Sequence, residues 1–444
     1  MRAHLWDETL SCGTVHAQRR QRFREAMGPG AVAILQGARL VTRSADTEFP
    51  FRQDSDFWYL TGFGHPQALA VLRTDGGPEY SLFVEPRDEA AETWTGFRPG
   101  VEGAKRDYGA DAAFPIETLR EALPEIVLHA ERIFHTLGRN AALDQQLTEI
   151  LDTMRIRSRQ GVVPAEAVVD PRRSLHEMRL HKEPEELEVM RRAAAISAEA
   201  HREAAALAHG GRFEYELEAM LSYGFRRRGA AGPAYGSIVG GGDNATTLHY
   251  IANDQKLEDG ELVLVDAGCE LEGYASDITR TYPVGGRFEG AHRELYELVL
   301  SAQLVGLEAS RPGATLEQIH QATVRTLTEG MVALGILQGD VEERIQDESY
   351  RRYYMHGTSH WLGLDVHDVG AYMLDGKSRP VEPGMVFTVE PGLYVPARDT
   401  VAPEAFRGIG IRIEDDVVIT AEGHENLNAA IPKHPADVEA WMRL

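Results

Sequence analysis

LVLVDAGCELEGYASDITRTYPV, residues 262–284, opens with a β-branched run that ends on one carboxylate, Asp266, and closes with a run that begins on another, Asp277. β-Branched runs bounded by glycines predict strands, and a separation of eleven residues predicts a tight meander that folds both acids back toward one spot. Burying a carboxylate is costly unless it is paired or bound to metal. Two further runs repeat the anomaly: GMVFTVEPGLY (384–394) carries Glu390, and GIGIRIEDDVVIT (408–420) carries Glu414. These acids are expected inside the strands.

One such acid alone reads as a salt-bridged or strand-end residue. Four together weaken that reading, because Arg280 and Arg412 are the only evident cations nearby in sequence. Each pair of carboxylates at about 4 Å would repel by roughly 4 kcal/mol at an effective dielectric of 20. Cations must hold them, and two divalent ions would bring four charges to match. A further ligand is expected from MHGTSHWLGLDVHDVG (355–370), where His356, His360 and His367 fall within twelve residues. An oxygen-rich set with a single imidazole favours Mn²⁺, with Co²⁺ or Zn²⁺ as substitutes.

Outward from these runs the chain divides. Its 444 residues predict two or three domains at about 150 residues each. In the first third, AVAILQG (31–37), LAVLRT (69–74), YSLFVEP (80–86) and RIFHTLG (132–138) read as strands, and AALDQQLTEILDTM (141–154) as a helix. The pattern breaks between Gln160 and Glu183, which places a boundary near Pro171. Pro184 suits the first turn of a long helix running to about Ala208. Two helix–Gly–helix units, AHREAAALAHGGRFEYELEAML and LVGLEASRPGATLEQIHQATV, about 100 residues apart, hint at an internal duplication.

A formal charge of −23 would repel nucleic-acid phosphates and anionic membrane surfaces, so neither is an expected partner. The short basic clusters at Arg226–Arg228 and 155–159 read as solvated faces or local salt bridges rather than a nucleic-acid patch. No apolar run approaches the roughly 18 residues of a membrane span, and MRAHLWDETLSCG carries no signal-peptide pattern, so a cytoplasmic location is expected. Cys12 and Cys269 are too few for a disulfide framework, and Cys269 reads as a buried, inert thiol.

Three motifs fail. HEMRLH (176–181) puts its second histidine one residue too late for the zinc-protease signature, VGGGDNATT (239–247) lacks the ending of a phosphate loop, and no G-x-S-x-G elbow occurs.

VTRSADTEFPFRQDSDFWYLTGF, LVDAGCELEGYASDITRTYPV, HGTSHWLGLDVHD, VEPGLY and GIGIRIEDD follow one another in an order that resembles bacterial Xaa-Pro aminopeptidase, or aminopeptidase P, among the pita-bread metallopeptidases. The resemblance spans nearly the whole chain. It implies an α+β protein, with an N-terminal α/β domain at 1–171 and a catalytic domain of pseudo-twofold symmetry at 172–444. It implies two Mn²⁺ ions held by Asp266, Asp277, His360, Glu390 and Glu414, and a hydroxide between them that attacks the bond before a proline at position two of a peptide. Glu390 shuttles the proton in this pattern, and His249 and His367 stabilise the tetrahedral intermediate. His356, Tyr394 and Arg412 match the surroundings of the proline pocket. Asp46, in the N-terminal domain, matches a residue that approaches the substrate or a neighbouring chain, and Trp94 and Arg159 match contacts at the far end of the cleft, Trp94 coming from another subunit, which implies a homo-oligomer, dimer or tetramer. An Xaa-Pro dipeptidase shares the fold and the ligands, and a non-catalytic pita-bread protein would lack ligands that are all present here.

Overall fold

The structure, a computed structural model, describes residues 12–443. The segment before Cys12, read above for a leader, and the Cys12 thiol lie outside the described residues. The chain forms two compact units that divide between His176 and Glu177.

The N-terminal unit is built on a six-stranded mixed sheet whose spatial order is Ala112–Pro115, Tyr80–Val84, Leu69–Arg73, Ala31–Gln36, Arg132–His135 and Ala167–Val169. The four expected strands are all present. Val32, Ile34, Val71, Phe83 and Ile133 form a core against Leu143, Leu147 and Ile150 of the helix Ala141–Ile156. Asn140 starts that helix by accepting from the Ala142 and Leu143 amides at 3.2 and 3.3 Å. The expected crossing between Gln160 and Glu183 is more ordered than its sequence suggests. It contributes the sixth strand and the helix Arg172–Leu180, because a three-residue strand is too short to display a period.

In the second unit the order helix pair, then antiparallel strands, occurs twice. Helices Pro184–Ala205 and Glu214–Arg227 precede strands Ile238–Gly241, Leu262–Asp266 and Thr279–Pro283. Helices Gly290–Ala309 and Leu316–Ala333 precede strands Val386–Val389, Gly392–Val395, Ile409–Arg412 and Asp415–Ile419. The second helices of the two pairs start alike: the Phe213 amide donates to Glu216 at 2.8 Å, and Thr315 and Gln318 cap each other at 3.0 and 3.1 Å.

The expected meander over 262–284 is corrected. Leu262–Asp266 pairs directly with Thr279–Pro283, Asp266 opposite Thr279, while Cys269–Leu271 and Tyr274–Ala275 leave to join Gly232–Pro233 in a separate sheet. Gly268 permits the departure, since a Cβ there would lie 1.8 Å from the Ser276 carbonyl oxygen. Among the described residues no helix is long and apolar enough to cross a membrane.

Candidate metal centre and substrate cleft

The ligand candidates stand where strands stop rather than within them. Val386–Val389 pairs with Asp415–Ile419, and Gly392–Val395 pairs with Ile409–Arg412. Between these two ladders the chain breaks at Glu390-Pro391 on one side and at Ile413-Glu414 on the other. Pro391 has no N–H for a ladder, and the freed amides find other partners: Glu390 N donates to Thr358 O at 2.8 Å and Glu414 N to Thr279 O at 3.1 Å. Each break therefore binds its acid to a segment that carries another ligand candidate. Asp266 is likewise the last residue of its strand, and Asp277 precedes Thr279–Pro283 by two residues.

Ligand atoms of Asp277, His360 and Glu414 lie within 4.8 Å of one another. His360 Nε2 is 3.3 Å from Asp277 Oδ2 and 3.5 Å from Glu390 Oε1. Its Nδ1 donates to the Trp361 carbonyl at 3.0 Å, which orients the ring so that Nε2 faces the carboxylates. Asp266 joins through Tyr235, whose hydroxyl is 2.6 Å from Asp266 Oδ1 and 2.5 Å from Asp277 Oδ1. One phenolic proton serves one of these contacts; the other needs a second proton or a cation.

The electrostatics of the site point the same way. Burial, reinforced by Asp277, Glu390 and Asp266, pushes Glu414 well above the carboxylate range. Burial raises Asp266 against the pull of Arg412, and it lifts Glu390 to about 7 against the pull of His360. His360 is drawn down by burial, yet Asp277 and Glu390 hold it up at about 9. Oxygen-rich donors, one oriented imidazole and surplus negative charge fit divalent cations.

Arg412 is the cation that remains. It donates to Asp266 Oδ2 at 2.6 Å, to Tyr394 Oη at 2.8 Å and to Thr279 Oγ1 at 3.1 Å. Arg280, the other cation near in sequence, alternates to the opposite face of its strand and pairs with Asp415 at 2.7 Å.

All five ligand candidates line a cleft of about 460 Å³ together with His249, His356, His367 and Arg412. The His360 and His367 rings meet edge to face at 4.5 Å. Tyr394 is buried behind the cleft. Its hydroxyl receives from Arg412 and donates at 2.8 Å to His356 Nε2, whose Nδ1 in turn donates to Gly357 O at 2.7 Å. Burial, helped by Arg412, pulls His356 down to about 3, so the ring is neutral. Asp46, Trp94 and Arg159 belong to the N-terminal unit: Asp46 is exposed between strands Thr42–Ser44 and Thr47–Glu48, Trp94 is 90% exposed on helix Glu89–Thr95, and Arg159 is exposed at 157–160.

Sequence reasoning missed three hydroxyls. Thr279 donates to Glu414 Oε2 at 2.5 Å and Thr388 to Glu390 Oε1 at 3.1 Å. Both stand two residues from an acid, a period-2 signal that could have found them. Tyr235 carries no such signal. The failed histidine pair is accounted for separately, His176 meeting Asp56 and His181 meeting Glu382, each at 3.2 Å. Cys269 donates to Ala193 O at 3.4 Å, and burial pushes its thiol up to about 11.

Residues 188–421 match the model of metallopeptidase family M24, and residues 16–134 match that of the aminopeptidase P N-terminal domain. The Xaa-Pro aminopeptidase of Escherichia coli K12 is 47% identical over 427 residues, 96% of each chain. The solved structure of Pseudomonas aeruginosa aminopeptidase PepP superposes with a TM-score of 0.94 at 47% identity, covering 96% of this chain and 97% of that one. A zinc-substituted E. coli aminopeptidase P in complex with product gives 0.93 at 46% identity, with 96% and 97% covered.

Proposed function

The chain belongs to metallopeptidase family M24, and with that as premise we propose how its cleft works. It is an Xaa-Pro aminopeptidase, a metal-dependent hydrolase that removes the first residue of peptides whose second residue is proline. The observation that carries the reading is the convergence of Asp277, His360 and Glu414 ligand atoms within 4.8 Å.

We infer two divalent ions held by Asp266, Asp277, His360, Glu390 and Glu414, with Mn²⁺ the first choice for an oxygen-rich set. Four carboxylates set against Arg412 leave three negative charges. Two divalent ions would turn that balance to a single positive charge, which favours an anion or a polarised carbonyl oxygen in the cleft. When bound, such ions supply Lewis-acid charge and bring the pKa of water from about 16 toward neutrality.

The residues of the chain do the rest. Glu390 takes the proton of the attacking water and hands it to the proline nitrogen, a tertiary amide nitrogen that leaves only when protonated. His249 and His367 face the same cleft and donate to the carbonyl oxygen as it gains charge. His356 has spent both ring nitrogens on Tyr394 and Gly357, so it serves as a wall. Backed by the buried rings of Tyr354 at 5.0 Å and Tyr394 at 5.5 Å between centroids, it presents its own face to the cleft as a surface on which a pyrrolidine ring packs.

Trp94 and Arg159 are proposed as contacts for the far end of the peptide, and Asp46 as a contact for the substrate or for a neighbouring chain. The protein is further proposed to act in the cytoplasm as a homo-oligomer, dimer or tetramer; an indole left 90% exposed on a lone chain supports a subunit contact at Trp94. The test is metal analysis of the purified protein beside cleavage of an Xaa-Pro-peptide with and without chelator. Cleavage indifferent to chelation overturns the metal mechanism, and activity confined to Gly-Pro would make the enzyme a dipeptidase.

A further inference from the structure

The glycine-rich run VGGGDNATT, which fits no phosphate loop, belongs to a segment that carries His249 to the cleft. Gly242–Thr246 forms a 3₁₀ turn after strand Ile238–Gly241, and Leu248 and His249 follow at the cleft wall. The turn is packed hard against its surroundings. A Cβ at Gly240 would come within 2.9 Å of the Ala245 backbone, and one at Gly410 within 2.1 Å of the Ala245 carbonyl oxygen.

A single acid holds both ends of this segment. Glu214, at the first turn of helix Glu214–Arg227, is fully buried. Its Oε1 accepts from Gly241 N at 2.8 Å and Asn244 Nδ2 at 3.0 Å; its Oε2 accepts from Tyr250 Oη at 2.8 Å and Gln255 N at 2.9 Å. These four donors are uncharged and all come from 241–255, so the carboxylate gathers the start, the turn and the end of one segment, including the residue next to His249. A buried carboxylate bound this way is stable only while every donor stays in place.

We propose that Glu214 is a positioning residue that seats His249 at the scissile carbonyl. The inference rests on the role given to His249 above. Glu214→Gln keeps the size but turns one oxygen into a donor facing other donors. It is expected to lower kcat roughly 10- to 100-fold, as loss of an orienting partner does, with little change in KM. The double variant with His249→Ala should be no slower than His249→Ala alone, because two residues acting through one group do not add. Metal content and Tm are measured on each variant, so that a general loss of structure is seen as such. Should Glu214→Gln fail to fold, Tyr250→Phe, which removes one of the four donors, takes its place in the same cycle.

If His249→Ala leaves kcat unchanged, the role given to His249 fails and the positioning proposal with it. If His249→Ala is slow while the losses of the two sites multiply, or while the Glu214 and Tyr250 variants stay fully active, the positioning proposal alone is overturned.

Discussion

Arg412 Nη2 stands 2.6 Å from Asp266 Oδ2, a guanidinium and a carboxylate joined where both are buried. The same guanidinium reaches Tyr394 and Thr279, three contacts that the single ammonium of lysine cannot span. Arg412→Lys is expected to lower kcat/KM by roughly 10- to 100-fold while metal content by atomic absorption stays near that of the wild type. Unchanged kinetics would show that the triple contact is dispensable.

Asp266 faces the centre and shares Tyr235 with Asp277. Asp266→Ala is expected to abolish metal-dependent cleavage, as chelation should in the parent protein. Cleavage that survives both treatments sinks the metal mechanism.

His201 is fully buried between Tyr282 Oη at 3.1 Å and Ala267 O at 2.8 Å, and burial draws it from 6.5 down to about 4. The unfolded chain therefore takes up a proton that the fold refuses, and stability falls as pH drops from about 6.5 toward 4. The loss over that window is roughly 3 kcal/mol. In urea denaturation, the stability gap between wild type and His201→Gln should narrow between pH 7 and pH 4.5. A gap independent of pH would show that His201 does not titrate in this way.

Asp368 lies one residue beyond His367, with its carboxylate 2.9 Å from Lys182 Nζ and 2.6 Å from Arg179 Nη2, all three buried. Removing the shared anion takes the carboxylate from Lys182 and leaves Arg179 its second acid, Asp365 at 2.8 Å. Asp368→Asn is expected to cost about 3–5 kcal/mol by chemical denaturation; a cost below about 1 kcal/mol would place water there instead.

Gly268→Ala puts a methyl group into the Ser276 carbonyl at the neck between Asp266 and Asp277, whereas Gly423→Ala opens into free space. The first is expected to lose about 1–3 kcal/mol and to weaken metal binding by calorimetry, and the second to do neither. Equal behaviour of the two would contradict the close approach.

The ligand candidates were legible because a carboxylate next to LVLV, MVFTV or GIGIRI breaks a pattern that burial otherwise enforces. Their neighbours were not. IEDD offers three consecutive acids, and nothing in the letters says that Glu414 faces the cleft, that Asp415 is neutralised by Arg280, or that Asp416 accepts from the Asp277 amide at 3.1 Å. The helix pairs were readable from their period and turn glycines. The pairing of Leu262–Asp266 with Thr279–Pro283 was not, because alternation reports which face a residue takes and not which strand lies beside it. Tyr235 lay beyond reach for a related reason: one hydroxyl bridging two acids depends on a fold-wide coincidence.

The facing breaks at Glu390-Pro391 and Ile413-Glu414 have a mechanical consequence. A paired ladder runs on either side of them, so the two acids can separate only if both ladders shear. The spacing of the Glu390 and Glu414 backbones is thus gauged by the sheet, as a caliper is by its frame, and each carboxylate is then aimed by a hydroxyl, Thr388 for Glu390 and Thr279 for Glu414.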